Sequence, residues 1–151
     1  MNSKELGEEL SRISEKFNEE RASYRDMVNR TEVSKDSLLE YQGRFTDLKG
    51  DVRLIHAEVA KYYAMHDDKS ATAIKYRIAY AIVSGEFKDE EGRLIYDKCS
   101  LSQAEKLAAG SDKYKTFVSQ RCFWKESLVN ISDLRDDISS YIIEISNRLK
   151  K

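Results

Sequence analysis

Between Leu38 and Tyr62 the chain places an apolar side chain every three or four residues without a miss: Leu38, Tyr41, Phe45, Leu48, Val52, Ile55, Val59 and Tyr62. That spacing keeps one stripe on one face of a helix and fits no strand, whose faces alternate every two residues. Sustained this long, it is the heptad pattern of a helix that packs lengthwise against another. The turn residues agree. None of the 151 residues is proline and only six are glycine, whereas average usage near 5% would supply roughly seven prolines. Sheets of short strands, and α/β folds with many tight connections, need that punctuation. The chain therefore reads as all-α, built from long helices with few breaks.

One helical domain is expected over residues 1–151. An amphipathic helix over 1–30 can open at Asn2 or Ser3, with Glu5 at capping-box spacing from Asn2. Leu6, Leu10, Ile13, Phe17, Tyr24 and Met27 form its stripe, one beat missing at Glu20. A long helical segment with a basic end follows over 34–85. Gly43 and Gly50 lie off its stripe and weaken it by about 1 kcal/mol each relative to alanine. Asp67, Asp68 and Ser70 either end one helix and cap another or sit on a solvated face. Ile74, Ile78, Ala81 and Ile82 supply the next stripe, and Gly85 suits a left-handed helix end.

Residues 86–100 lose the helical period. Asp89 to Gly92 can turn between Phe87 and Leu94-Ile95-Tyr96, giving a short hairpin or an irregular loop. Ser102-x-x-Glu105 reads as the capping box of a short helix over 101–110, which Gly110 stops, and Ser111 can cap a final helix over 111–149. There Tyr114, Phe117, Trp124, Leu128, Ile131, Ile138, Ile142, Ile145 and Leu149 hold heptad spacing, interrupted at Arg121 and Arg135. Such a helix is about 55 Å long, too long to bury within one compact globule of this size. The expected architecture is a long helical hairpin, antiparallel and coiled-coil-like, with the N-terminal helix alongside and a homo-oligomer built over the remaining apolar surface.

Catalytic constellations are missing from this pattern, and no enzyme, cofactor or metal is expected. The two histidines, His56 and His66, form neither HExxH nor HxH. His66-Asp67-Asp68 points in different directions on a helix and is a solvated helix end before it is a metal site. Lys69-Ser70 lacks the preceding glycines of a phosphate loop. Trp124 beside Phe123 can stack on a base, but an aromatic at a heptad position is first a core residue. No secretory signal or membrane-length apolar run is visible. Cys99 and Cys122 stand apart without metal-ligand spacing and read as free thiols of a reducing cytoplasm.

The net charge of −1 conceals regional differences. Residues 1–40 hold seven basic and ten acidic side chains, residues 41–85 seven and five, and residues 86–151 twelve of each, giving −3, +2 and 0. From Lys69 to Gly85 there are Lys69, Lys75 and Arg77 and no acid, with Tyr76 and Tyr80 interleaved. Cations track phosphates and rings stack on bases, so this mixture suits a single strand. An exposed helix face explains the same residues more simply. Lys75 and Arg77 lie about 160° apart around a helix and cannot grip one phosphate from one straight helix; repeated subunits can line them up as a track.

Ala73-Ile74-Lys75-Tyr76-Arg77-Ile78-Ala79-Tyr80, closing at Ser84-Gly85, resembles the Ala-Leu-Lys-Ala-Arg-Leu-Asp-Tyr-Tyr-Ser-Gly segment of the UvsY-like family of phage recombination mediators, with two further residues before Ser-Gly. Ser111-Asp112-Lys113, Phe123-Trp124, Leu128 and Ile138 are similar in type and nearly in spacing to that family's Ala-Asp-Lys, Tyr-Trp, Leu and Ile. The acidic start, with Leu6 and Glu8-Glu9-Leu10, fits more loosely. The resemblance implies a small helical protein that forms ring-like homo-oligomers, binds single-stranded DNA and helps load a RecA-type recombinase onto DNA covered by single-strand-binding protein. It implies DNA contacts at Lys75 and Arg77, to which proximity and charge add Lys69, Lys61 and Tyr76. It also implies assembly through Trp124, Leu128, Ile138 and Ile142, and the cytoplasm of a bacterial host. Without weight on the basic middle, the same heptads describe a helical oligomeric interaction protein with no nucleic-acid role: a phage structural adaptor, an assembly chaperone or an inhibitor of a host system.

Overall fold

The computed structural model describes residues 2–30 and 32–151, and Asp68 by its backbone alone. Among the described residues it is all-helical: α1 (Ser3–Val28), α2 (Lys35–Ala64), α3 (Asp68–Ser84), α4 (Leu101–Gly110) and α5 (Asp112–Leu149), with no strand beyond one isolated bridge between Lys88 and Leu94. Two compact units form where the sequence reads as one domain. The first gathers residues 1–59 and 127–151, the second residues 60–126, so α2 and α5 contribute to both.

In the first unit, α1 starts at the expected capping box. Asn2 Oδ1 accepts from the Glu5 amide at 2.8 Å, and the Asn2 amide donates to Glu5 Oε2 at 3.1 Å. Leu6, Ile13, Phe17 and Tyr24 are buried along its inner face. α2 begins where Ser34 Oγ accepts from the Ser37 amide at 3.1 Å, and its buried residues include Leu38, Phe45, Leu48, Val52 and Ile55. Phe17 meets Phe45 and Tyr24 meets Tyr41, so residue numbers rise along α1 as they fall along α2. The same opposition links α2 to the end of α5 through Phe45–Tyr141 and Gln42–Ser146. Phe17, Tyr24, Tyr41, Phe45 and Tyr141 thus close one aromatic cluster, mostly edge-to-face. Full burial of such a side chain contributes about 1.5–3 kcal/mol, which three polar-backed helices need to stay together.

In the second unit, the helical segment expected to run through 34–85 is broken. Asp67 takes an extended conformation and caps α3, so of the two readings of that stretch the helix end is the one that holds. The side chain of Asp68, the other acid offered there, lies outside the described residues. α3 ends at Gly85, which adopts φ 73°. The Gly85 and Glu86 amides then reach back to the Ile82 and Ala81 carbonyls at 3.2 and 2.8 Å. A side chain here would meet both a strained backbone and the Lys98 side chain.

The segment after α3 is a short hairpin. Asp89 Oδ1 accepts from the Glu91 and Arg93 amides at 2.9 Å, Gly92 supplies φ 80°, and the Ile95 amide donates to Phe87 O at 3.0 Å. The cap of α4 differs from expectation: Ser100, not Ser102, accepts from the Gln103 amide at 3.3 Å. Both sites carry serine, and the helix that starts at Leu101 buries Ala104 and Ala108. These two alanines, with Ile78, Ala79 and Ile82 of α3, form a core on which Ile74, Phe87, Tyr96, Leu107 and Tyr114 pack. Small side chains on both helices allow close approach.

Candidate nucleic-acid interface

The residues from Lys69 to Tyr80 belong to α3, and the packing of α3 decides which of them face water. At its start, Asp67 Oδ1 accepts from the Ser70 amide at 2.8 Å. That bond to the backbone, with Lys69 and Arg121 nearby, holds the Asp67 carboxyl below its ordinary pKa. The turn before it is tied down by His66. Its Nδ1 meets Tyr62 O at 2.9 Å, its Nε2 meets the Gln120 side-chain amide at 3.1 Å, and its ring stacks on Phe117 at 4.8 Å. One turn earlier Tyr62 stacks on Trp124 at 4.9 Å. Both nitrogens of His66 are therefore engaged, and among the described residues no group of three or more His, Cys, Asp and Glu comes together as a metal site.

Ala71, Ile78, Ala79 and Ile82 are buried. The opposite face presents Lys69, Ala73, Tyr76, Arg77, Tyr80 and Val83 to solvent, Tyr76 at 44% and Tyr80 at 59% of full exposure. Around the helix, Lys69 and Tyr76 differ by about 20°, Tyr76 and Tyr80 by about 40°, and Tyr80 and Arg77 by about 60°. Three of the five expected DNA contacts, Lys69, Tyr76 and Arg77, therefore share one face. Lys75 lies on the flank, half-buried, and Lys61 is an exposed residue of the last turn of α2.

Among the described residues, none of Lys69, Lys75 and Arg77 forms an ion pair, and neither Tyr76 nor Tyr80 pairs with another ring. The first unit is different. Arg12 pairs with Glu9 and Arg44 with Glu20 and Glu40, while Arg21 and Arg25 lie over the Phe17 and Tyr141 rings at 5.3 and 5.7 Å. Among the described residues no carboxylate comes within ion-pair distance of Lys69, Lys75 or Arg77, although Asp67 lies near enough to Lys69 to feel its charge.

Tyr80 is the member of this face that the sequence reading left out of its contacts. Its signal was available: Lys69, Ala73, Tyr76, Tyr80 and Val83 are themselves spaced four, three, four and three residues apart. This outer repeat runs beside the inner one of Ile74, Ile78 and Ile82.

The residues expected to carry assembly are divided. Trp124 and Ile138 are buried within their own chain, and Leu128 and Ile142 are half-buried at the margins of the same stripe. A hollow of about 420 Å³ in the second unit, lined by residues including Glu86, Phe87, Lys88, Tyr96, Asp112 and Lys113, balances two acids against two bases. No helix among the described residues is long and apolar enough to cross a membrane. No protein-family model, no curated protein and no solved structure gives a significant match to this chain.

Proposed function

We propose that this chain is a non-enzymatic recombination mediator that binds single-stranded DNA as a homo-oligomer and helps load a RecA-type recombinase onto strands covered by single-strand-binding protein. The observation that carries the reading is the solvent face of α3: cations at Lys69 and Arg77 and rings at Tyr76 and Tyr80, unpaired among the described residues, and no acid from Lys69 to Ser84. Phosphates are drawn to the cations and bases to the rings. The stretch that resembles the UvsY-like family lies on this same helix and shares Tyr76, Arg77 and Tyr80 with that face.

In this reading α2 and α5 form the antiparallel hairpin that carries α3, and copies assemble in a ring so that each contributes one basic face to a continuous track. Trp124 and Ile138 already pack inside the chain, so the subunit contact uses the margins of their stripe, Leu128 and Ile142, together with exposed neighbours such as Val129. Binding is weak per copy and the strand is released readily, as a near-neutral protein with a short basic face allows.

Fluorescence anisotropy of a labelled thymidine oligomer tests the binding. The titration should saturate at low salt and weaken as salt rises, and more so in the Lys75→Ala/Arg77→Ala variant. A folded protein that binds no strand even at low salt would end the reading. Light scattering on a sizing column tests assembly separately; a monomer at micromolar concentration contradicts the ring. One observation favours the alternative of a helical interaction protein without DNA: Leu54 is 73% exposed and Leu39 47%, both on α2 outside the α3 face. If Leu54→Ser abolishes assembly while strand binding is absent throughout, that alternative stands.

A further inference from the structure

The spacing of the two exposed tyrosines says in what form a strand is held. Tyr76 and Tyr80 are four residues apart on α3, hence about 6 Å apart along the helix axis and on nearly the same side of it. Stacked bases in a strand follow one another at about 3.4 Å. Two neighbouring bases that each lie on one of these rings are therefore too far apart to stack on each other. We infer that the α3 face takes single-stranded nucleic acid in a drawn-out form, one base on Tyr76 and the next on Tyr80, with base–base stacking replaced by base–tyrosine stacking. The inference rests on the strand-binding reading above and adds to it the conformation of the bound strand and the role of Tyr80.

The surroundings of the rings fit this arrangement. Among the described residues neither ring pairs with another ring, and at 44% and 59% exposure each offers surface to a base. Ala73 and Val83 continue the line at either end, and their small or short side chains leave room for the flanking bases. Arg77 stands beside Tyr80 on the same surface, and Lys69 lies two turns before Tyr76, so the sugar–phosphate chain has a cation beside the rings and another at the entrance. A duplex cannot use the site, because its base faces are covered by their neighbours. The face therefore selects by unstacking and not by sequence, since every base has a π-face.

A thymidine oligomer carrying two adjacent 2-aminopurines reads this directly. The two probes give a coupled circular-dichroism band when they stack on each other, at wavelengths where the protein is transparent. Saturation with the full-length protein should abolish the band. Tyr76→Ala and Tyr80→Ala should each weaken binding by about fivefold to a hundredfold, with the salt dependence unchanged because no charge is lost, and Tyr76→Phe and Tyr80→Phe should restore it. A bound strand that keeps its coupled band, alanine variants that bind as tightly as the parent, or a duplex of the same length that competes equally would each overturn the drawn-out form while leaving strand binding in place. Absence of any strand binding would remove both.

Discussion

Tyr24→Phe should stabilise the first unit, although it removes a polar atom from its centre. Tyr24 is 1% exposed, and its ring makes three edge-to-face contacts, with Tyr41, Phe45 and Tyr141, at centroid distances of 5.7 to 5.8 Å. Phenylalanine keeps all three. Among the described residues the hydroxyl makes no hydrogen bond of ordinary geometry, although Glu144 and Arg148 lie near it. Burial holds its pKa above the ordinary 10.0, with the charge of Glu144 acting in the same direction and Arg148 against it. An unsatisfied buried group costs about 1–3 kcal/mol, so the variant should gain about 1 kcal/mol in urea unfolding at neutral pH. For a chain of this size that is about 2–4 °C in Tm. The titration supplies a second readout. The phenol binds its proton more tightly folded than unfolded, so its contribution is complete below the ordinary pKa of 10.0 and is lost as pH rises through the raised folded value. The alkaline loss of stability should therefore be smaller in Tyr24→Phe than in the parent. A variant that unfolds at lower urea than the parent would refute the reasoning, because it would mean that the hydroxyl makes a bond worth more than its burial costs.

Gly85→Ala forces a left-handed residue, at about 1–2 kcal/mol, while the Lys98 side chain can swing away; thermal unfolding should fall by several degrees, and an unchanged Tm would contradict the cap. Ile138→Ala empties a fully buried site and should cost about 2–5 kcal/mol. Because that site is filled by its own chain, the loss should be the same at every protein concentration, and a concentration-dependent loss would place Ile138 at a subunit contact instead. Asp67→Asn keeps the capping oxygen of α3 without its charge. The depressed carboxyl contributes stability above its ordinary pKa of 3.8 that is lost as pH falls through the folded value, so acid titration of Tm should be shallower in the variant than in the parent.

The helical periods were legible because each stripe is fixed by local spacing. Leu38 through Val59 is a run that only one backbone conformation can bury, and the caps at Asn2, Ser34, Gly85 and Ser111 use side chains that hydrogen-bond within three residues or glycine's freedom at positive φ. The start of α4 was ambiguous for the same reason, since Ser100 and Ser102 offer identical chemistry two residues apart. At Asp67 the local pattern allows either reading, and His66 beside it is held by Tyr62, Phe117 and Gln120, the last a contact across 54 residues that no local pattern records. The α3 face was half legible. Its charges and rings could be listed from the sequence, but that Lys69, Tyr76, Arg77 and Tyr80 face water while Lys75 turns aside depends on which side of α3 the alanines of α4 cover. The pairing of cations is partly local and partly a property of the packed surface: Glu40 stands four residues before Arg44 and no acid lies within four residues of Arg77, whereas Glu20 reaches Arg44 across 24 residues.

The account rests on the claim that the exposed face of α3 is where a single strand binds, and the slope of log affinity against log salt measures it. Each phosphate contact removed from a single strand lowers that slope by about 0.7. Lys69→Ala/Arg77→Ala should therefore reduce it by about 1.4, while Lys49→Ala/Arg53→Ala, an equal loss of charge on α2, should leave it unchanged. Equal reductions in the two variants, or none in the first, would contradict the claim.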